Sequence, residues 1–221
     1  MAWDPVWEKI FASRGWGRYP GEELVRFVAR NFYEAPDRSA VKFLELGCGP
    51  GPNLWFLARE GFTAYGIDGS PSALRQANAR LNQETPAWHG GLTHGELLHL
   101  PFPDNCFDAV IDNEAVCCNS FEDACRIYAE ARRVLKPGGK LFVRTFATGC
   151  WGEGTGTPAG HNAWLVSEGP LAGEGLTRFT DMRMLMQLLL GYIFIKVATL
   201  QRSDANSHHA ICEWLVEVQK E

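Results

Sequence analysis

No apolar run in this chain is long enough to cross a bilayer. Even YIFIKVATL is interrupted by Lys196, well before the roughly 18 residues that a span requires, so no membrane association is expected. The opening MAWDPVWEKIF lacks the basic segment followed by an apolar one that marks a secretory leader. Positive charge is not in excess either. With 21 Lys and Arg against 26 Asp and Glu, the net charge is -5, and the global basic field that would advertise a nucleic-acid partner is missing. The seven cysteines, at 48, 106, 117, 118, 125, 150 and 212, are odd in number and form no C-x-x-C pair. That argues against a disulfide framework and against a zinc site; no metal is expected, and a reducing cytoplasm fits best. Internal repeats and low-complexity tracts are absent too.

What is present is a chain of 221 residues, 46% of them hydrophobic, which is enough for one well-buried domain. Residues 1–221 are therefore read as a single α/β unit. An aromatic arm leads into GEELVRFVARNFYE, where Leu24, Val25, Phe27, Val28 and Phe32 recur at helical spacing, so residues 1–35 form an arm and a helix. VKFLEL reads as a buried strand and NLWFLAREG as a helix stopped by Gly61. FTAYGID is a second strand, and in SPSALRQANARL Ser70 caps a helix whose first position is Pro71. A weakly patterned third strand lies within AWHGGLTHG. FDAVID is the next strand, SFEDACRIYAEARRVL an amphipathic helix, and GGKLFVRTFA a strand after the turn KPGG. Alternation of this kind predicts a mostly parallel sheet covered on both faces.

Residues 148–179 break the rhythm with eight of the 23 glycines, Pro158 and Pro170; the segment reads as a structureless loop, and such loops commonly serve as lids. Beyond it come a helix over about 180–190 and two strand-like runs, YIFIKVATLQRS and HHAICEWLVEVQ, joined as a hairpin by DANS.

The chemistry is concentrated in FLELGCGPGPN. A strand that enters Gly47, Gly49 and Gly51 and leaves as a helix is a nucleotide-type turn, because glycine allows a sharp turn and close approach of backbone to ligand. The dinucleotide fingerprint needs glycine at position 52, where this chain has Pro52. Pro50 and Pro52 also remove two N–H donors that would cradle a pyrophosphate. The loop thus suits a nucleoside cofactor without phosphates. Asp68 closes the second strand 21 residues after Gly47, where an acid can accept both hydroxyls of a ribose.

With ELGCGPG, GID, GELLHLPFPDNCFDAV and EARRVLKPGGKLFV in this order over residues 41–147, the chain resembles the class I S-adenosylmethionine-dependent methyltransferases. The resemblance implies a Rossmann-like three-layer sandwich: a seven-stranded, mostly parallel sheet in the order 3-2-1-4-5-7-6 with strand 7 antiparallel. It implies S-adenosyl-L-methionine as cofactor and S-adenosyl-L-homocysteine as product. Carried over by position, Glu45 organises the methionine end of the cofactor, while Gly47, Gly49 and Gly51 permit its approach. Asp68 binds the ribose beside Gly69 and Ser70, Glu96 and the Leu97 backbone read the adenine edge, and Asp112 and Asn113 face cofactor and substrate. The family usually has Asp where this chain has Glu96.

The sulfonium already activates the methyl group, so transfer mainly needs the acceptor placed and dehydrated. A general base helps with a hydroxyl or a protonated amine; Tyr19, Glu114 and His161 are the candidates, and no spacing singles one out. The arm and the 148–179 lid are the expected walls of the acceptor pocket, with Arg14, Trp16, Tyr19, Trp151, His161 and Trp164 as candidate contacts. A small, partly aromatic or carboxylated acceptor is favoured, on a monomer or homodimer. A tRNA or protein acceptor and a non-catalytic partner module stay open as alternatives.

Overall fold

The computed structural model describes residues 3–203 and 208–221. Its frame is a parallel sheet built outward from β1 (Lys42–Leu46). On one side β1 pairs with β2 (Thr63–Asp68), which pairs with β3 (His89–His94). On the other it pairs with β4 (Phe107–Asn113), which pairs with β5 (Leu135–Phe146). The KPGG turn is accommodated within β5: its register against β4 jumps between Phe107 and Ala109.

After the 148–179 segment and α6 (Met182–Leu188), the chain forms a hairpin. β9 (Tyr192–Arg202) pairs antiparallel with β10 (Ile211–Lys220), and β10 pairs antiparallel with β5. The seven-stranded order β3-β2-β1-β4-β5-β10-β9 is the expected 3-2-1-4-5-7-6, because β9 and β10 are the sixth and seventh strands of this sheet. The DANS turn falls in 204–207, outside the described residues.

Strand parity sorts side chains to two faces. Leu44, Leu46, Val110, Leu141 and Val143 pack against α5 (Phe121–Val134) and α6. Phe43, Ala109, Ile111 and Phe142 pack against α2 (Glu22–Phe32), α3 (Pro52–Arg59) and α4 (Pro71–Glu84). The cap read from the sequence at Ser70 acts as capping chemistry requires, and Ser120 does the same for α5. Ser70 Oγ accepts from the Ala73 N–H with Pro71 at the first turn of α4, and Ser120 Oγ accepts from the Asp123 N–H at the start of α5.

One expectation about the fold is corrected. Residues 148–179 are not structureless: β6 (Thr157–Gly160), β7 (Ala163–Leu165) and β8 (Leu176–Arg178) form a small antiparallel sheet. The glycines that suggested a floppy loop sit at its turns and edges. Its apolar side chains, Val166 and Phe179 with Trp164 beside them, close over Phe146 and Cys150 as a third buried cluster. Among the described residues no helix is long and apolar enough to cross a membrane.

Candidate active site

The parallel strands β1, β2 and β4 end together, which brings Gly47, Asp68 and Asn113 to one edge of the sheet, where open α/β sheets hold ligands. A cleft opens there, with about 1040 Å³ of empty space counted out into the solvent at its mouth. Its floor is Glu45, Gly47, Cys48, Gly49, Pro50 and Asn53.

The turn out of β1 requires its first glycine twice over. Gly47 has φ +61, and a Cβ there would lie 2.5 Å from the Cβ of Ala115. Gly51 serves packing instead. It does not line the cleft, and a Cβ on it would meet the Ala77 Cβ of α4 at 3.0 Å.

Two buried carboxylates define the cleft's character. Glu45 is buried on the α3 side of β1; its Oε1 accepts from Asn53 Nδ2 at 2.5 Å, and its Oε2 is buried without a hydrogen-bond partner. Burial pushes its pKa up to about 8 against the pull of the Asn53 hydrogen bond. Asp68, also buried, accepts from the Gly49 N–H at 2.8 Å through Oδ2 and from the Ser70 N–H at 2.7 Å through Oδ1. It thereby holds the glycine loop to the start of α4. Burial raises its pKa while those two N–H groups lower it, and each oxygen keeps a lone pair for a further donor.

At the other end stands Glu114, at φ +63, an unusual conformation for a side chain of this kind. It pairs with Arg144 at 3.0 Å, Arg144 with Glu213 at 2.7 Å, and Glu213 with Arg202 at 3.1 Å. Burial, together with a hydrogen bond shared with Glu213, raises Glu114 toward about 8. Glu213 stays low despite its own burial, through that hydrogen bond and its guanidinium partners.

The roof comes from the N-terminal arm: Trp3, Asp4, Trp7, Phe11 and Trp16 line the cleft. Trp7 and Phe11 project from α1 (Val6–Ser13), and Trp16 packs edge-on against both. Trp7 and Phe11 stand four residues apart on α1, a spacing that puts them on one face of the helix. From residues 148–179 only Leu171 reaches the cleft.

The expected site residues therefore divide. Glu45, Gly47, Gly49, Asp68, Gly69, Leu97, Asn113, Glu114 and Trp16 line one cavity. Ser70 lies just behind it as the α4 cap, and its hydroxyl meets the carboxylate of Glu8. Glu96 is not on the cleft wall; its Oε1 accepts from the Trp3 N–H at 3.4 Å. Asp112 is corrected. It shares the parity of Val110, faces α5, and accepts from the Ala115 and Val116 N–H groups and from Tyr128 Oη at 2.6 Å, so it braces the turn after β4 rather than facing a ligand.

Five of the six expected acceptor contacts also lie elsewhere. Tyr19 is exposed and rests edge-on against Trp55. Trp151 stacks on His209, His161 meets Phe121, and Trp164 packs on Phe179. Arg14 pairs with Glu174 and joins the arm to the 148–179 segment. Asn53, Cys118, Asn119 and Leu171 were not anticipated; nothing local in the sequence marks them, since only the fold brings them to the cleft.

Residues 44–143 match the family model for the methyltransferase domain, and they contain the floor of the cleft together with Asp68, Leu97 and Asn113. Over this segment the chain is similar to methyltransferase domains. Among curated relatives, the demethylmenaquinone methyltransferase of Tropheryma whipplei is 37% identical over 105 residues, which are 47% of this chain and 41% of that protein. The chain thus spans less than half the length of that relative.

Solved structures share the fold across nearly the whole molecule. A SAM-dependent methyltransferase from Methanosarcina mazei superposes with a TM-score of 0.66 at 20% identity, covering 81% of this chain and 92% of the other. A structure describing conversion of a disulfide bond into a thioacetal group during echinomycin biosynthesis superposes with a TM-score of 0.73 at 15% identity, over 98% and 91%. At such identities the likeness speaks to the fold, and the reaction has to be argued from the site.

Proposed function

We propose that the protein binds S-adenosylmethionine in this cleft and transfers its methyl group to a small, largely apolar acceptor held under the N-terminal arm. One observation carries the reading: the buried, unpartnered Oε2 of Glu45 lies at the floor of a cleft whose turn accommodates no side chain at Gly47 and which Asp68 borders at the end of β2. A buried carboxylate oxygen without a donor suits the cationic methionine end of that cofactor. Asp68 would hold the ribose hydroxyls through its remaining lone pairs, and Leu97 would lie at the base. When bound, the cofactor supplies a methyl group already activated as part of a sulfonium.

The chain's own contribution is placement and exclusion of water. Trp7, Phe11, Trp16 and Leu171 give the acceptor apolar and flat surfaces, and Asn113 offers a polar contact. Glu114, bordering the cleft and able to exchange a proton near neutral pH, is the group placed to take a proton from a hydroxyl or ammonium acceptor. Other relatives are named for sterol and norajmaline acceptors. What carries over is the class of small molecule, not any one of them.

The test is calorimetry and thermal unfolding with S-adenosylmethionine, S-adenosylhomocysteine and NAD. Both sulfur nucleosides should bind and raise the Tm by mass action, and NAD should do neither. Asp68→Ala should weaken their binding by about 1.5–3 kcal/mol, the range for hydrogen bonds to a charged group. A shift with NAD alone would overturn the reading. Incubation with labelled cofactor and fractionated small-molecule extract would then find the acceptor.

A further inference from the structure

The wall of the cleft at position 69 is built from two places in the chain. Gly69 follows Asp68 at the end of β2. A Cβ added there would lie 2.1 Å from Trp3 Cδ1, 2.3 Å from Trp3 Nε1 and 2.4 Å from Trp3 Cγ. No side chain can stand at position 69 while the indole is in place; the ring fills the volume that a side chain would otherwise take.

The ring is held there. The Trp3 N–H donates to Glu96 Oε1. Five residues on, the carboxylate of Glu8 accepts from the hydroxyl of Ser70 and, at 2.6 Å and 3.1 Å, from the hydroxyl and N–H of Ser72. On the arm the Phe11 carbonyl accepts from Gln76 Nε2 at 2.6 Å. The arm is therefore latched to the first turns of α4, the helix that Asp68 and Ser70 introduce. Trp3 lines the same cleft as Asp68, Gly95 and Leu97, and the cleft stays open with the indole present. The ring walls the space and does not plug it.

We propose that Trp3 is a cofactor-binding residue: its indole replaces the side chain missing at Gly69 and forms the face on which the adenine of the cofactor stacks, so that arm and cofactor hold each other in place. The proposal rests on the methyl-donor reading above and adds to it that the nucleoside site is completed by the arm, outside the 44–143 segment that matches the family model. An aromatic ring offers any base a flat, polarizable surface, and such stacking is substantial even without hydrogen bonds.

The test is binding of S-adenosylhomocysteine by calorimetry to wild type, Trp3→Phe, Trp3→Ala, and Trp3→Ala combined with Gly69→Leu. Trp3→Ala should weaken binding about five- to a hundredfold, in line with loss of one stacked base. Trp3→Phe should stay within a few-fold of wild type, and Gly69→Leu should restore part of the loss by refilling the vacated space. As a second readout, the ligand should protect the arm from limited proteolysis in wild type and not in Trp3→Ala. Equal affinity of Trp3→Ala and wild type would overturn the proposal, and so would tighter binding, which would make the indole a plug. Failure of the wild type to bind the ligand would instead overturn the methyl-donor reading and take this proposal with it.

Discussion

In the N-terminal arm, Trp3, Trp7, Phe11 and Trp16 all reach the cleft. In residues 148–179, Trp151, His161 and Trp164 all turn away from it, toward His209, Phe121 and Phe179. Both segments offer aromatic rings among glycines and charges. The difference lies in what else each can bury. The 148–179 segment carries Val166 and Phe179 and has Phe146 beneath it, so Trp164 joins a small core there, while Trp151 and His161 rest on His209 and Phe121. The arm has one short helix and no place in any of the three buried clusters. Trp7, Phe11 and Trp16 pack against each other and over the glycine loop, where Gly49 leaves room for Phe11. An aromatic side chain becomes a binding surface when its own segment cannot bury it.

Several experiments would break or sharpen this contrast. The largest effect is expected from removing residues 1–19: the main clusters lose no member, so the protein should fold, but cofactor affinity should fall by more than tenfold and transfer should be lost. Circular dichroism and calorimetry read the two halves, and a truncated protein that retains turnover would transfer the acceptor pocket to the 148–179 segment. Next comes Gly47→Ala in the turn at the floor of the cleft. Forcing an alanine to φ +61, with its Cβ 2.5 Å from that of Ala115, should cost at least about 1–2 kcal/mol. That corresponds to a Tm lower by about 2–8 °C, with cofactor binding weakened alongside.

A third experiment concerns the floor. Glu45 has its pKa lifted from the ordinary 4.5 to about 8 by burial, so the folded state favours its protonated form. Its contribution to stability is complete below pH 4.5 and disappears as the pH rises through about 8. Glu45→Gln should flatten this decline in a Tm series from pH 5 to 9 without abolishing it, since Glu114 is also raised. An unchanged slope would show that Glu45 does not titrate there. The smallest effect on binding is expected from Trp164→Ala. It should lower the Tm, as loss of a packed aromatic does, yet leave affinity for S-adenosylhomocysteine within about twofold; a tenfold loss would return the segment to the site.

Much of the frame is legible in the residues alone, because local physics decides it. Period-two and period-3.6 patterns, Ser70 and Ser120 as caps, and the glycine turn after VKFLEL each act over a few positions, and they mark β1, β2, β4, α4 and α5 nearly to the residue. Gly47, Gly49 and Asp68 are legible for the same reason, since strand, turn and acid follow one another along the chain; Glu45 came in through the family resemblance. Parity within a strand is less visible. Asp112 and Asn113 are neighbours in sequence, yet one braces α5 and the other borders the cleft, since successive side chains of a strand point to opposite faces. Which distant segment covers the cleft, which rings are buried in a private core, and that Trp3 occupies the space above Gly69 were decided only by the tertiary structure. These depend on contacts between residues tens of positions apart, and only the folded chain determines which apolar surfaces compete for one another.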